Sequence, residues 1–86
     1  MIENMRAWDL KKLKDVVIPD GVERIGNQWF WGAEVESVKI PASMREIGAD
    51  AFCGCEKLSE VVFEEGSRLK VIGKGVFVYC SNIRSI

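Results

Sequence analysis

The sequence predicts an α/β repeat solenoid, a chain that passes through a short strand and a short helical turn in every coil. Two observations carry this expectation. The first is recurrence. Val16-Val17-Ile18-Pro19, Val38-Lys39-Ile40-Pro41 and Val61-Val62-Phe63-Glu64 align with one another, as do Ile25-Gly26, Ile47-Gly48 and Ile72-Gly73, and then Trp29-Phe30, Ala51-Phe52 and Val76-Phe77. The second is a change of apolar spacing inside each unit, from alternation to a helix-like interval. The size of the chain agrees. A closed globule of 86 residues buries only about 60–65% of its unfolded surface, whereas stacked repeats cover one another's flanks and share one core.

Residues 1–12 stand outside the repeat register. Ile2, Met5, Trp8, Leu10 and Leu13 form a loose helical stripe with polar residues between them, which predicts an N-terminal cap, helical or a partial repeat, over the first open face. The solenoid is expected over residues 13–86 as three repeats, 13–34, 35–57 and 58–82, with residues 83–86 starting a fourth. The length differences fall in turns, where the fold tolerates them: one residue fewer after Phe30, and two more in Glu64-Glu65-Gly66-Ser67-Arg68 than in Pro41-Ala42-Ser43.

Each repeat opens with Leu13-x-x-Val16-x-Ile18 or its equivalent, an alternation rich in branched residues that predicts a strand with one apolar face. Pro19 and Pro41 end the ladder because proline has no N–H to donate. A second extended piece follows, from Val22 to Ile25, Met44 to Ile47 and Leu69 to Ile72. Gly26, Gly48 and Gly73 mark a place where the backbone takes positive φ or packs closely. The next five or so residues are expected to form one or two helical turns that point Phe30, Phe52 and Phe77 into the core.

Composition disfavours several function classes. Twelve basic and thirteen acidic residues leave a formal charge of −1, which provides no field for nucleic acid or a polybasic membrane contact. The absence of histidine removes the commonest general base, and no serine or cysteine has an evident activating partner, so the chain is expected not to be an enzyme and to need no cofactor or catalytic or structural metal. Glu64-Glu65 reads as a solvated loop, with a weak cation site as its sharper alternative, and Gly73-Lys74-Gly75 lacks phosphate-loop spacing. Cys53, Cys55 and Cys80 lack zinc-site spacing and cannot all pair within one chain. Cys55 and Cys80 share a repeat position, but helical turns packed about 10 Å apart would hold them beyond disulfide reach, so buried thiols are expected. No apolar run is long enough for a transmembrane helix, and residues 1–6 lack the form of a signal peptide.

A unit reading LxxVxIPxxVxxIGxxAFxxCxxL resembles the BspA-type, or treponemal-type, leucine-rich repeat. Ile40-Pro41, Ile47-Gly48, Ala51-Phe52, Cys55 and Leu58 carry the resemblance in the second unit, and Ile72-Gly73, Phe77, Cys80 and Ile83 carry it in the third. In the first, Trp29 replaces the small alanine and Ala33 stands near the cysteine position. The resemblance implies a right-handed solenoid with short parallel strands on the concave face and short helical turns opposite. It also implies a non-enzymatic module for protein–protein interaction, of the bacterial surface or adhesion type, with a host or matrix protein as partner and a cell-surface or secreted location. Without a signal peptide, a cytoplasmic location is the alternative, and a structural spacer or self-assembly unit is the alternative function.

The expected partner-binding face comprises Lys14, Asp15 and Val17, then Glu36, Ser37 and Lys39, then Ser59, Glu60 and Val62, the outward positions of the first strands. Trp29 and Trp31 leave a short turn on different sides. Either they pack on Trp8 or the next unit, or they form an interface patch. Ile83 and Ile86 mark an uncovered end expected to self-associate, unless the chain is part of a longer array.

Overall fold

The computed structural model describes residues 13–84; the cap expected over residues 1–12, Trp8 and Ile86 lie outside them. Three coils stack through two parallel three-stranded sheets. β1 (Asp15–Val17), β3 (Ser37–Ile40) and β5 (Glu60–Phe63) form the first, and β2 (Arg24–Ile25), β4 (Glu46–Ile47) and β6 (Val71–Ile72) form the second. The register aligns the repeats as the sequence does: Val16, Val38 and Val61 share a row, as do Ile25, Ile47 and Ile72. The second extended piece of each repeat is thus a paired strand. Arg84 donates its N–H to the Ser59 carbonyl at 2.9 Å, placing residues 83–84 on the third coil.

Alternation decides which side chains enter the core. Val16, Ile18, Val38, Ile40 and Val61 are buried, while Val17, Lys39 and Val62 between them face out. Met44, Ile47, Ala51, Phe52 and Cys55 of the middle coil are wholly buried, as is Leu58 at the start of the third. The phenylalanines form a stacked spine, with Phe30 and Phe52 centroids 5.0 Å apart and Phe52 and Phe77 centroids 6.0 Å apart, the planes tilted by 9° and 10°.

The third side differs from expectation, because helical turns are not present there. The hydrogen bonds show why. Trp29, Trp31 and Ala33 donate three residues back within their own coil, to Gly26, Gln28 and Phe30. Gln28, Phe30 and Gly32 instead donate to the next coil, at Ala49, Ala51 and Cys53, and Asp50, Phe52 and Gly54 repeat the pattern toward Lys74, Val76 and Val78. A helix needs every N–H for its own i−4 carbonyl, so a segment that sends every second one to its neighbour forms stacked turns. Left-handed residues punctuate it at two equivalent positions, Gln28, Asp50 and Gly75 (φ 59°, 58° and 73°) and Gly32, Gly54 and Tyr79 (φ 66°, 76° and 62°).

None of the motif glycines Gly26, Gly48 and Gly73 takes positive φ, and close packing accounts for Gly48 and Gly73. A Cβ on Gly48 would lie 2.5 Å from Asn27 Oδ1 and 2.6 Å from its backbone nitrogen, and one on Gly73 would strike the backbone of Ala49 and Gly48.

Candidate interaction surface

The residues expected to meet a partner fall in three rows, two along the strands of the first sheet and one just before them. Pairing places Asp15, Ser37 and Glu60 in one row and Val17, Lys39 and Val62 in the next. Lys14, Glu36 and Ser59 form a third, because Glu36 N–H donates to the Lys14 carbonyl at 2.6 Å and Ser59 N–H donates to the Glu36 carbonyl at 2.9 Å. Neighbouring side chains in a row are about 4.8 Å apart, the spacing of paired strands. Val17 is 69% exposed and Val62 40%, so a lysine between two solvent-facing valines crosses the sheet. Beside it, Ser37 donates its hydroxyl to Asp15 Oδ1 at 2.7 Å, and Ser59 Oγ donates to the Glu36 carbonyl at 3.2 Å. Both serines are half-buried, which leaves the acids, Lys39 and the valines as the groups most open to a partner.

The two tryptophans separate. Trp29 packs half-buried against the core, with its indole Nε1 buried and without a hydrogen-bond partner among the described residues, whereas Trp31 is exposed. Ile83 is half-buried against the core. On the same flank, Val71 and Ile72 are 51% and 52% exposed.

None of Cys53, Cys55 and Cys80 is in a disulfide, but the expected 10 Å separation is not the reason. The stacked turns bring successive coils into direct backbone hydrogen bonding, as in Gly54 N–H to the Val78 carbonyl at 2.8 Å. The thiols instead donate to carbonyls of the preceding coil, Cys55 Sγ to Phe30 at 3.1 Å and Cys80 Sγ to Phe52 at 3.0 Å. Cys55 is buried and Cys80 half-buried. Burial pushes the Cys80 thiol pKa up.

Among the described residues, no three His, Cys, Asp or Glu side chains cluster in a way that would hold a metal ion, and no helix is long and apolar enough to cross a membrane. A second group of polar residues, which the sequence does not single out, lines a hollow of about 350 Å³ beside the turns that link the two sheets: Glu23, Ser43, Arg45, Arg68 and Lys70.

The model of the BspA type leucine rich repeat region matches residues 4–86, in 6 copies. Two solved structures resemble the chain closely. One is a leucine rich cell surface protein from Faecalibacterium prausnitzii A2-165, 30% identical with a TM-score of 0.79. The other is a leucine rich repeat protein from T. pallidum, 31% identical with a TM-score of 0.76. The matches cover 87% and 88% of this chain, but the chain spans only 23% and 37% of those two. No curated protein matches.

Proposed function

Because this chain belongs to the BspA-type leucine-rich repeat family, we propose that it is a non-enzymatic module that binds a protein partner, a host or matrix protein, at the bacterial cell surface. The contact surface is the outer face of the first sheet. The observation that carries this reading is the row Val17–Lys39–Val62 beside Asp15–Ser37–Glu60, which offers apolar, basic and acidic groups at fixed spacing on hydrogen-bonded backbone. Surface exposure in the F. prausnitzii relative, a cell surface protein, supports the location. Right-handed winding, the rule for crossovers between parallel strands, belongs to the same reading.

Combined alanine substitution of Lys39, Glu60 and Val62 tests the proposal against a panel of purified extracellular-matrix proteins. Binding to a captured panel member is expected to fall by about tenfold or more with unchanged unfolding midpoint, since all three side chains are exposed and outside the core. Capture that is indifferent to the triple change would favour a spacer or self-assembly unit.

The exposed Val71 and Ile72, continuous with half-buried Leu69, Phe77 and Ile83, support a second contact in which copies of the chain associate through this flank. Sedimentation should then show concentration-dependent association that Ile72→Lys abolishes. A wild-type monomer at high concentration would remove this second contact.

A further inference from the structure

Beside the turns that link the two sheets, three cations from two coils line one hollow. Arg45 and Lys70 occupy equivalent positions just before β4 and β6, and the Lys70 N–H donates to the Arg45 carbonyl at 2.9 Å. Arg68 comes from the longer turn of the third coil. Its N–H donates to the Ala42 carbonyl at 3.0 Å, which lays that turn against the second coil and places Arg68 beside Ser43. All three cations are exposed and none forms an ion pair among the described residues. Like charges in adjacent strand positions repel, and a bound anion relieves that repulsion.

The hollow continues past Arg68 into a second one of about 300 Å³, lined by Asp20, Gly21, Ala42, Ser43, Gly66 and Arg68. Ser43 and Arg68 border both, so the two hollows adjoin, and we take them together as one groove. Ser43 supplies shape rather than a ligand contact: its hydroxyl accepts from Gly21 N–H and donates to the Val22 carbonyl, both at 2.9 Å. We infer that this groove binds an acidic polypeptide segment whose carboxylates are held by Arg45, Arg68 and Lys70.

Charge and shape select that occupant. The planar guanidinium forks of Arg45 and Arg68 match carboxylates in a two-bond geometry, and Lys70 adds a third positive charge. Glu23, which lines the same hollow beside Arg45, whose N–H donates to the Glu23 carbonyl at 2.8 Å, and Asp20 in the second hollow repel a chain charged at every residue, such as a sulfated glycan or nucleic acid. A peptide with carboxylates at one end only avoids that repulsion. Two adjoining open hollows accommodate an extended segment better than an isolated ion.

The site is separate from the outer face of the first sheet, and its test is separate too. The probe is a fluorescently labelled hexapeptide with an Asp-Glu pair at one end, compared by anisotropy with its Asn-Gln counterpart on the full chain. The acidic peptide is expected to bind, and the amide peptide is not. Raising salt from about 50 to about 200 mM should weaken binding. The triple variant Arg45→Gln, Arg68→Gln, Lys70→Gln should lose about tenfold or more in affinity, with its far-ultraviolet circular dichroism unchanged. Glu23→Gln should bind more tightly than the natural chain. Alanine at Lys39, Glu60 and Val62 should leave this affinity unchanged, so failure of one site is distinguishable from failure of the other. Equal binding of the two peptides, indifference to the triple change, or binding of a sulfated oligosaccharide in preference to the acidic peptide would overturn the inference.

Discussion

The second and third coils contain the same structural positions in different surroundings. Ile47 is wholly buried whereas Ile72, its partner in the second sheet, is 52% exposed; Phe52 is buried between two rings whereas Phe77, with one ring neighbour, is half-buried. Residue type and backbone are shared, so the difference comes from cover on one side or both. In a stacked array a side chain's contribution to stability is set as much by its neighbours as by its own chemistry, which is the nearest-neighbour behaviour of repeat proteins.

The sharpest way to break this comparison is at the aromatic spine. Phe52→Ala should cost about 3–5 kcal/mol and Phe77→Ala roughly half as much, because less of its surface is removed from water. Equal losses in urea unfolding would show that burial on one flank is as valuable as burial on two. The glycines come next. Gly48→Ala forces a methyl into Asn27 and Gly26 and should cost about 1–3 kcal/mol. At Gly26 the nearest atom among the described residues is Trp29 Cε3 at 3.6 Å, so Gly26→Ala should be neutral or stabilise by up to about 1 kcal/mol through the unfolded chain. Thermal melts that lower both midpoints alike would remove the close-approach explanation.

The smallest expected effect concerns Cys80. Its thiol is raised above 9.0 chiefly by burial, helped by Cys53 and opposed by backbone hydrogen bonds at Cys55 and Gly54. The folded chain therefore holds this proton more tightly than the unfolded one. The contribution is fully present below about pH 9 and declines as pH rises through the folded value. Cys80→Ser should flatten that decline, and a stability difference between the two proteins that stays constant from neutral pH to above pH 9 would argue against it.

The strands were legible because alternation is a direct record of which side is buried. Val16, Val38 and Val61 could be placed inward, and Val17, Lys39 and Val62 outward, from spacing alone. The stacked turns were not. A phenylalanine directed inward at Phe30 or Phe52 is equally compatible with a helical turn, and the left-handed conformation of Gln28 and Asp50 falls on residues other than glycine. At Gly48 and Gly73 both physical reasons for glycine were open, and only the approach of the preceding coil decides between them. The thiol positions are intelligible after the fact, since Cys55 and Cys80 each meet the carbonyl of a phenylalanine one coil back. The Arg45–Arg68–Lys70 group escaped notice because Arg68 lies on a turn whose extra residues register in sequence only as a length difference.

Hydrogen bonding between coils on the turn side, as well as on both sheets, has a consequence for reach. Register steps of 22, 23 and 25 residues each advance the array by only about 4.8 Å, or roughly 0.2 Å per residue, against about 3.3 Å per residue for an extended strand and 1.5 Å for a helix. A chain selected to hold two objects apart would achieve far more distance with either of those. What these coils produce per residue is lateral area with side chains at fixed intervals, at the expense of length.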